Sequence, residues 1–293
     1  MSAKLLDGKA LAWKIEAELK TDVAVLHAKT GKAPRFMNVV VGEDPSAGSY
    51  ARSQIRAAKE IGIDYQFSSL PQSVTQKELI DHIKLLNDDP DVHGIMIHKP
   101  LDKGLDFQEV ANHIAVSKDL EGITEANLGK LILGTATIIP CTPAAVMALL
   151  AASGVDLKGK DAVVVGRSEI AGKPLMLLLM EKNATVTVCH SATSRAGRLE
   201  DHVKKADILV VAMGKPNFIK GEWIKEGAIV IDVGINSVDG KLVGDVDFVG
   251  AEKRAGFITP VPGGVGPVTA VMLMKNGVKT CQQQLGMSCQ SSS

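Results

Sequence analysis

The stretch AVVVGRSEIAGKPLMLLLM, from Ala162 to Met180, joins an apolar run to a glycine-bearing turn and then to a second apolar run. A buried strand feeding a helix through such a turn is suited to holding a phosphate. Gly166 admits the tight turn, the unpaired N–H groups and positive dipole end of the helix face the anion, and Gly172 lets the helix approach closely. Arg167, Ser168 and Ile170 lie within the turn. The spacing is not GxGxxG, and the same pattern also serves as a helix–sheet turn with no ligand, so both readings stand at this point. The end of the next apolar run, VTVCHSATS, bears on the nucleotide. NAD enzymes commonly place a carboxylate there for the ribose 2′-hydroxyl, whereas this chain has His190 and Ser191. Arg167, with Ser191 and Arg195 nearby, is suited to a 2′-phosphate, which favours NADP with NAD as the alternative; a solvated surface arginine is the other reading of Arg167.

These residues need strands and helices to hold them. Leu11, Ile15, Leu19, Val23 and Leu26 recur at helical spacing and predict an opening helix with one buried face. RFMNVVVG, IDYQFSSL and HGIMIHKPL read as strands, alternating with helices over SYARSQIRAAKEI, VTQKELIDHIKLLNDD and FQEVANHI. A second alternating series has strands AVVVG, TVTVCH, DILVVAMG, AIVIDVG and GFITPVPG, mostly continuous apolar runs of the kind expected when both faces of a parallel sheet are covered. A helix from about Thr142 leads into that series, and a last one over VTAVMLMKNGVKTCQQQL is expected to pack back on the first domain. Two domains are thus expected, since one hydrophobic core rarely grows past ~250 residues and the chain has 293. Residues 1–143 form the first, completed by 269–293, and residues 144–268 form a Rossmann-like second.

Composition closes off several function classes. Lys plus Arg equals Asp plus Glu, at 33 each, so the basic footprint of nucleic-acid binding is missing. No stretch is apolar for long enough to cross a bilayer, and the charged opening segment lacks the apolar centre of a signal peptide, so a cytoplasmic location is expected. Cys141, Cys189, Cys281 and Cys289 are scattered, which argues against a zinc cluster and against a disulfide framework; no metal is expected.

GRSEIAGKP, IKEGAIVIDVGIN, VGDVDF and PVPGGVGPVT, together with LLDGKALA near the start, stand in an order that resembles the methylenetetrahydrofolate dehydrogenase/cyclohydrolase family, often called the FolD family. The resemblance covers nearly the whole chain. It implies an α/β fold of two α/β domains flanking a cleft, the second a Rossmann-like doubly wound and mostly parallel sheet, with NAD(P) on the second, a tetrahydrofolate carrier substrate on the first, and a homodimer. It also implies that Pro262, Gly263 and Gly264 wall the folate pocket, that Thr269 opens the last helix beside the cofactor, and that Ala212, Gly214, Gly234 and Ile235 touch the dinucleotide. The family's reaction passes a hydride from the methylene bridge to the nicotinamide, and water then opens the methenyl cation to 10-formyltetrahydrofolate.

Three matched positions depart from the family pattern. A tyrosine and a lysine one helical turn apart appear here as Tyr50 and Gln54, and an amide exchanges no proton near neutral pH. The glutamine of a VQLPLP-type segment appears as His98 in IHKPLD, and the pterin-binding aspartate of DVDG appears as Glu121 in DLEG. Tyr50 is expected to stack on folate. Asp119 is read either as a substrate contact or as a loop cap. Alternation along the strand is expected to turn Lys99 away from His98. The preferred expectation is a dehydrogenase with weak or absent cyclohydrolase. The alternatives are a bifunctional enzyme in which His98 carries the proton beside Gln54, a non-catalytic folate- or nucleotide-binding paralogue, and an unrelated α/β hydroxy-acid dehydrogenase.

Overall fold

The chain opens with a two-residue strand, β1 (Lys4–Leu5), and helix α1 (Gly8–Thr30), on which Ile15, Leu19, Val23 and Leu26 are buried as their spacing predicts. The computed structural model describes residues 2–42, 49–101 and 104–287, without the side chains of Ser49 and Tyr50; residues 43–48 and the segment with Cys289 lie outside them. Two units emerge, one of Trp13–Cys141 with Ala270–Ser293 and the other of Met1–Ala12 with Thr142–Thr269.

In the first unit β2 (Arg35–Val41), α2 (Ser49–Ile61), β3 (Asp64–Leu70), α3 (Gln76–Asp88) and β4 (Gly94–Ile97) build a parallel three-stranded sheet ordered β3-β2-β4. Short helices α4 (Phe107–Ala111) and α5 (Glu125–Ile132) follow, and α6 (Cys141–Ala152) leads out. Thr75 and Glu78 close a reciprocal capping box that fixes where α3 begins. Val39, Ile95 and Ile97 face Leu79, Ile80 and Ile83 of α3 and Val110 of α4 in one apolar cluster. Since strand side chains alternate, Phe36 and Asn38 of β2 and Met96 of β4 take the opposite face.

The second unit holds β5 (Asp161–Val165), α7 (Gly172–Glu181), β6 (Thr185–Cys189), α8 (Ser191–Arg195), α9 (Leu199–Val203), β7 (Ile208–Val211) and β8 (Ile229–Asp232). The hairpin β9 (Asn236–Val238) and β10 (Lys241–Val243), α10 (Phe248–Glu252), β11 (Phe257–Ile258) and the start of α11 (Val265–Gln284) complete it. Its six-stranded sheet runs β1-β11-β8-β7-β5-β6 and every pairing in it is parallel. Leaving β5, the chain first adds β6 on one side and then crosses to add β7 on the other, the reversal of a doubly wound sheet. Among the described residues no helix is long and apolar enough to cross a membrane.

Two boundaries differ from the sequence-based expectation. Residues 1–12 belong with the second unit, because Lys4 and Leu5 pair with Phe257 and Ile258. The last helix begins at Val265, four residues before Thr269; Pro267 falls in its first turn, where a missing N–H costs nothing.

Gly277 sits inside α11, where propensity alone favours alanine by ~1 kcal/mol. A Cβ at that position would overlap the Phe36 ring. Overpacking of this kind costs ~1–3 kcal/mol, so the steric effect should win. Gly277→Ala is expected to lower the denaturant midpoint without changing the slope; a raised midpoint would show that the ring yields freely.

Candidate functional site

The carboxyl edge of the six-stranded sheet is built by close backbone approach and by two buried carboxylates. Gly166 follows β5 at φ +137°, and a Cβ there would collide with the Ala212 carbonyl oxygen; a Cβ on Gly172, where α7 begins, would collide with that of Gly166. Only hydrogen fits at either place, so Gly166–Gly172 forms a tight cradle ending in a ten-residue helix. Arg167, Ser168 and Ile170 are exposed along it. The Gly166 N–H donates to the Cys189 carbonyl at 2.9 Å, which sets the cradle beside the end of β6. There His190 caps α8, its Nδ1 accepting from the Ala192 N–H, while Ser191 and Arg195 are exposed. The segment 190–195 holds no carboxylate, a donor set that fits a 2′-phosphate. Glu169, in the cradle itself, pairs with Lys173 at 2.8 Å.

Asp245 and Asp232 organise the neighbouring loops. Asp245 accepts from the N–H groups of Met213 (2.6 Å), Gly214 (2.9 Å) and Lys215 (2.8 Å) and from Asn236 Nδ2 (2.8 Å). Asp232 accepts from those of Gly234, Asp245 and Val246. Burial pushes the Asp232 carboxyl up to about 6 against these three donors. Ala212, Gly214, Gly234 and the exposed Ile235 are thereby fixed on one edge. Sequence alone singles out neither aspartate, although both stand in the motifs IDVGIN and VGDVDF; a carboxylate at the end of an apolar strand is the available signal. Pro262, Gly263 and Gly264 form the turn into α11, with Gly264 packed on Pro260 and on Gly8. Thr269 does not open that helix: it is buried one turn inside, its hydroxyl donating to the Val265 carbonyl at 3.1 Å.

In the three-stranded unit Tyr50 lies in the first turn of α2, its side chain outside the described residues. Gln54 is fully buried; its Oε1 accepts from the Tyr65 hydroxyl at 3.0 Å and its Nε2 lies 3.7 Å from the Met96 sulfur. His98 follows β4 directly, with its N–H on the Val39 carbonyl at 2.8 Å. Two residues from Met96, it continues the face to which Gln54 turns. Lys99 takes the other side, its Nζ 3.4 Å from the centre of the Phe107 ring, as alternation predicts. Burial lowers the His98 imidazole below its ordinary 6.5, which favours its neutral form.

Asp119 is fully buried, and its carboxylate accepts from the N–H groups of Glu121, Gly122 and Thr124 and from Asn127 Nδ2. Both oxygens are taken by the loop, the arrangement of a loop cap. The loop it ties presents Glu121, whose Oε2 is buried with no hydrogen-bond partner. Burial first, then the Asp119 charge, push the Glu121 carboxyl up to about 7, with Lys99 opposing. Among the described residues no group of three His, Cys, Asp or Glu side chains is gathered to hold a metal ion.

Because the folded Glu121 holds its proton up to about 7 against 4.5 for a free glutamate, the folded state binds more protons between those values. Its stability should therefore fall as pH rises through that window, by on the order of 1–3 kcal/mol. Glu121→Gln should flatten the fall in urea midpoints measured from pH 4.5 to 7.5; an unchanged slope would show that Glu121 ionises freely in the fold.

Comparison with known proteins follows the same division. Residues 6–121 match the tetrahydrofolate dehydrogenase/cyclohydrolase catalytic domain, and residues 140–285 match the NAD(P)-binding domain of the same family. The chain is 49% identical to the bifunctional protein FolD of Acetivibrio thermocellus, over 98% of this chain and 100% of that protein. The crystal structure of the bifunctional FolD enzyme of Campylobacter jejuni is similar at a TM-score of 0.92 and 42% identity, covering 96% of this chain and 99% of that one. The Trypanosoma brucei FolD enzyme, solved with NADP and an inhibitor, gives 0.91 and 40%, covering 97% and 99%. With both of its domains matched in order along nearly the full length, this chain belongs to the tetrahydrofolate dehydrogenase/cyclohydrolase family.

Proposed function

We propose that this protein is an NADP-dependent 5,10-methylenetetrahydrofolate dehydrogenase that also hydrolyses the methenyl product, with His98 accepting the proton in the second reaction. The observation that carries the reading is that half-buried His98 stands two residues beyond Met96, whose sulfur lies 3.7 Å from Gln54 Nε2, and so continues the strand face to which Gln54 turns. The bifunctional relatives favour this over the dehydrogenase with weak cyclohydrolase that the missing lysine leads one to expect.

The dinucleotide supplies a hydride acceptor when bound. Gly166 and Gly172 let the chain close into the tight turn that meets its phosphates, and Arg167 and Ser191 take the 2′-phosphate. The unpartnered Glu121 oxygen meets the N–H donors of the pterin, and Tyr50 stacks on the folate rings. In hydrolysis His98 takes one proton from water as its oxygen bonds to the methenyl carbon. That proton then passes to N5 as the carbon–N5 bond breaks, and the hydroxyl proton is lost to solvent as the formyl carbonyl forms. Gln54 keeps the geometry of the lysine position and supplies hydrogen bonds without titrating. General acid–base assistance of this kind contributes ~10²–10⁴-fold.

Purified protein should speed the loss of methenyltetrahydrofolate above the spontaneous rate, and His98→Asn should cut that rate about 100-fold while methylene oxidation stays within a few-fold. Because the imidazole must be neutral, the hydrolytic rate should fall on the acid side at a pH below 6.5. No acceleration by the wild type would restore the dehydrogenase-only reading. Arg167→Gln should raise the KM for NADP by roughly 10–100-fold, the worth of a charge-assisted contact, and leave that for NAD nearly unchanged; equal effects on both would remove Arg167 from the 2′-phosphate.

A further inference from the structure

Behind Gln54 lies a buried polar chain that neither the family resemblance nor the proposed mechanism uses. Asn38, in the middle of β2, and Gln54, on α2, are both 0% exposed, and the Tyr65 hydroxyl lies between them. Asn38 Nδ2 donates to Tyr65 Oη at 2.9 Å, and Tyr65 Oη donates to Gln54 Oε1 at 3.0 Å. The Met96 sulfur is 3.2 Å from the same hydroxyl. Burying an asparagine, a tyrosine hydroxyl and a glutamine between a sheet and a helix costs free energy that three apolar side chains would not. The Asn38 Oδ1 remains buried without a partner, a further cost of ~1–3 kcal/mol. A chain this expensive in a small core asks for a role beyond packing.

The hydroxyl has one proton. Spent on Gln54 Oε1, it fixes which way round the carboxamide sits: the oxygen turns toward β3 and the NH2 toward Met96, on the side of β4 that His98 continues. A carboxamide flipped by 180° would present an acceptor there, and an acceptor repels the oxygen of a water that His98 is to deprotonate. The right way round, it presents an N–H donor on that side.

We propose that Tyr65, backed by Asn38, is a positioning residue for the hydrolytic reaction, holding Gln54 so that its Nε2 donates to the oxygen of the attacking water. This rests on the bifunctional reading above and adds to it the residues that make a glutamine workable at the lysine position. It also separates the two activities, because hydride transfer involves no water oxygen at that place.

The test is a double-mutant cycle on both activities. Tyr65→Phe keeps the ring and removes only the hydroxyl; Gln54→Met keeps the length and removes the amide. Tyr65→Phe is expected to lower kcat for methenyltetrahydrofolate hydrolysis at least fivefold, with its KM and the methylene-oxidation rate within twofold of wild type. In the Gln54→Met background Tyr65→Phe should add no further loss, since its effect passes through the missing amide. As a readout independent of turnover, the Gln54 side-chain NH2 resonances, assigned by their absence in Gln54→Met, should exchange with solvent slowly in the wild type and at least tenfold faster in Tyr65→Phe. Equal falls in both activities, additive losses in the cycle, or unchanged exchange would overturn the positioning role and leave the bifunctional reading standing. A wild type without hydrolysis would overturn both.

Discussion

A parallel sheet delivers all its strand ends to one edge, and the loops leaving that edge carry N–H groups that have lost their ladder partners. Buried N–H groups must be paired, and in both units of this protein a buried carboxylate pairs several at once. Asp245 gathers three backbone N–H groups and the Asn236 amide, and Asp232 gathers three backbone N–H groups. Asp119 does the same for the loop that carries Glu121. Gly214, Gly234 and Glu121 stand on loops held in this way, so their backbone is fixed by the fold itself.

The same economy explains why Glu121 differs from Asp119 though two residues separate them. Asp119 has spent both oxygens on its loop. Glu121 keeps one buried oxygen without a partner, and burial beside a second carboxylate raises its affinity for a proton. With Asn38 Oδ1, that oxygen is one of two buried side-chain polar atoms that the fold leaves unpaired among the described residues.

Much of this was readable from the residues in order. The alternation of apolar runs with amphipathic helices fixed both sheets, and Gly166 and Gly172 marked the cradle by type and spacing. What escaped was held by distant partners. β1 is two residues long and exists because Phe257 and Ile258 pair with it from the far end of the chain. Asp245 meets its acceptor duties some thirty residues upstream, where no local pattern points to it. Gln54 is legible as a side chain that does not titrate, but the Tyr65 hydroxyl that hydrogen-bonds it comes from another strand. One clue was present: an asparagine at the centre of RFMNVVV puts a polar group where a buried strand tolerates few, and Asn38 is where the polar chain begins.

The interleaving of the two units has a consequence for how the protein is made. Asn276 of α11 donates to the carbonyls of Leu120 and Ile139, at 2.8 and 2.9 Å, on either side of the segment that ends the first stretch of its unit. Those carbonyls wait for a partner more than 130 residues downstream. During synthesis, which proceeds at ~5–20 residues per second, the later-coded unit has nearly all its residues in hand while the earlier-coded one still lacks its closing helix. The half of the molecule translated first is therefore the half completed last.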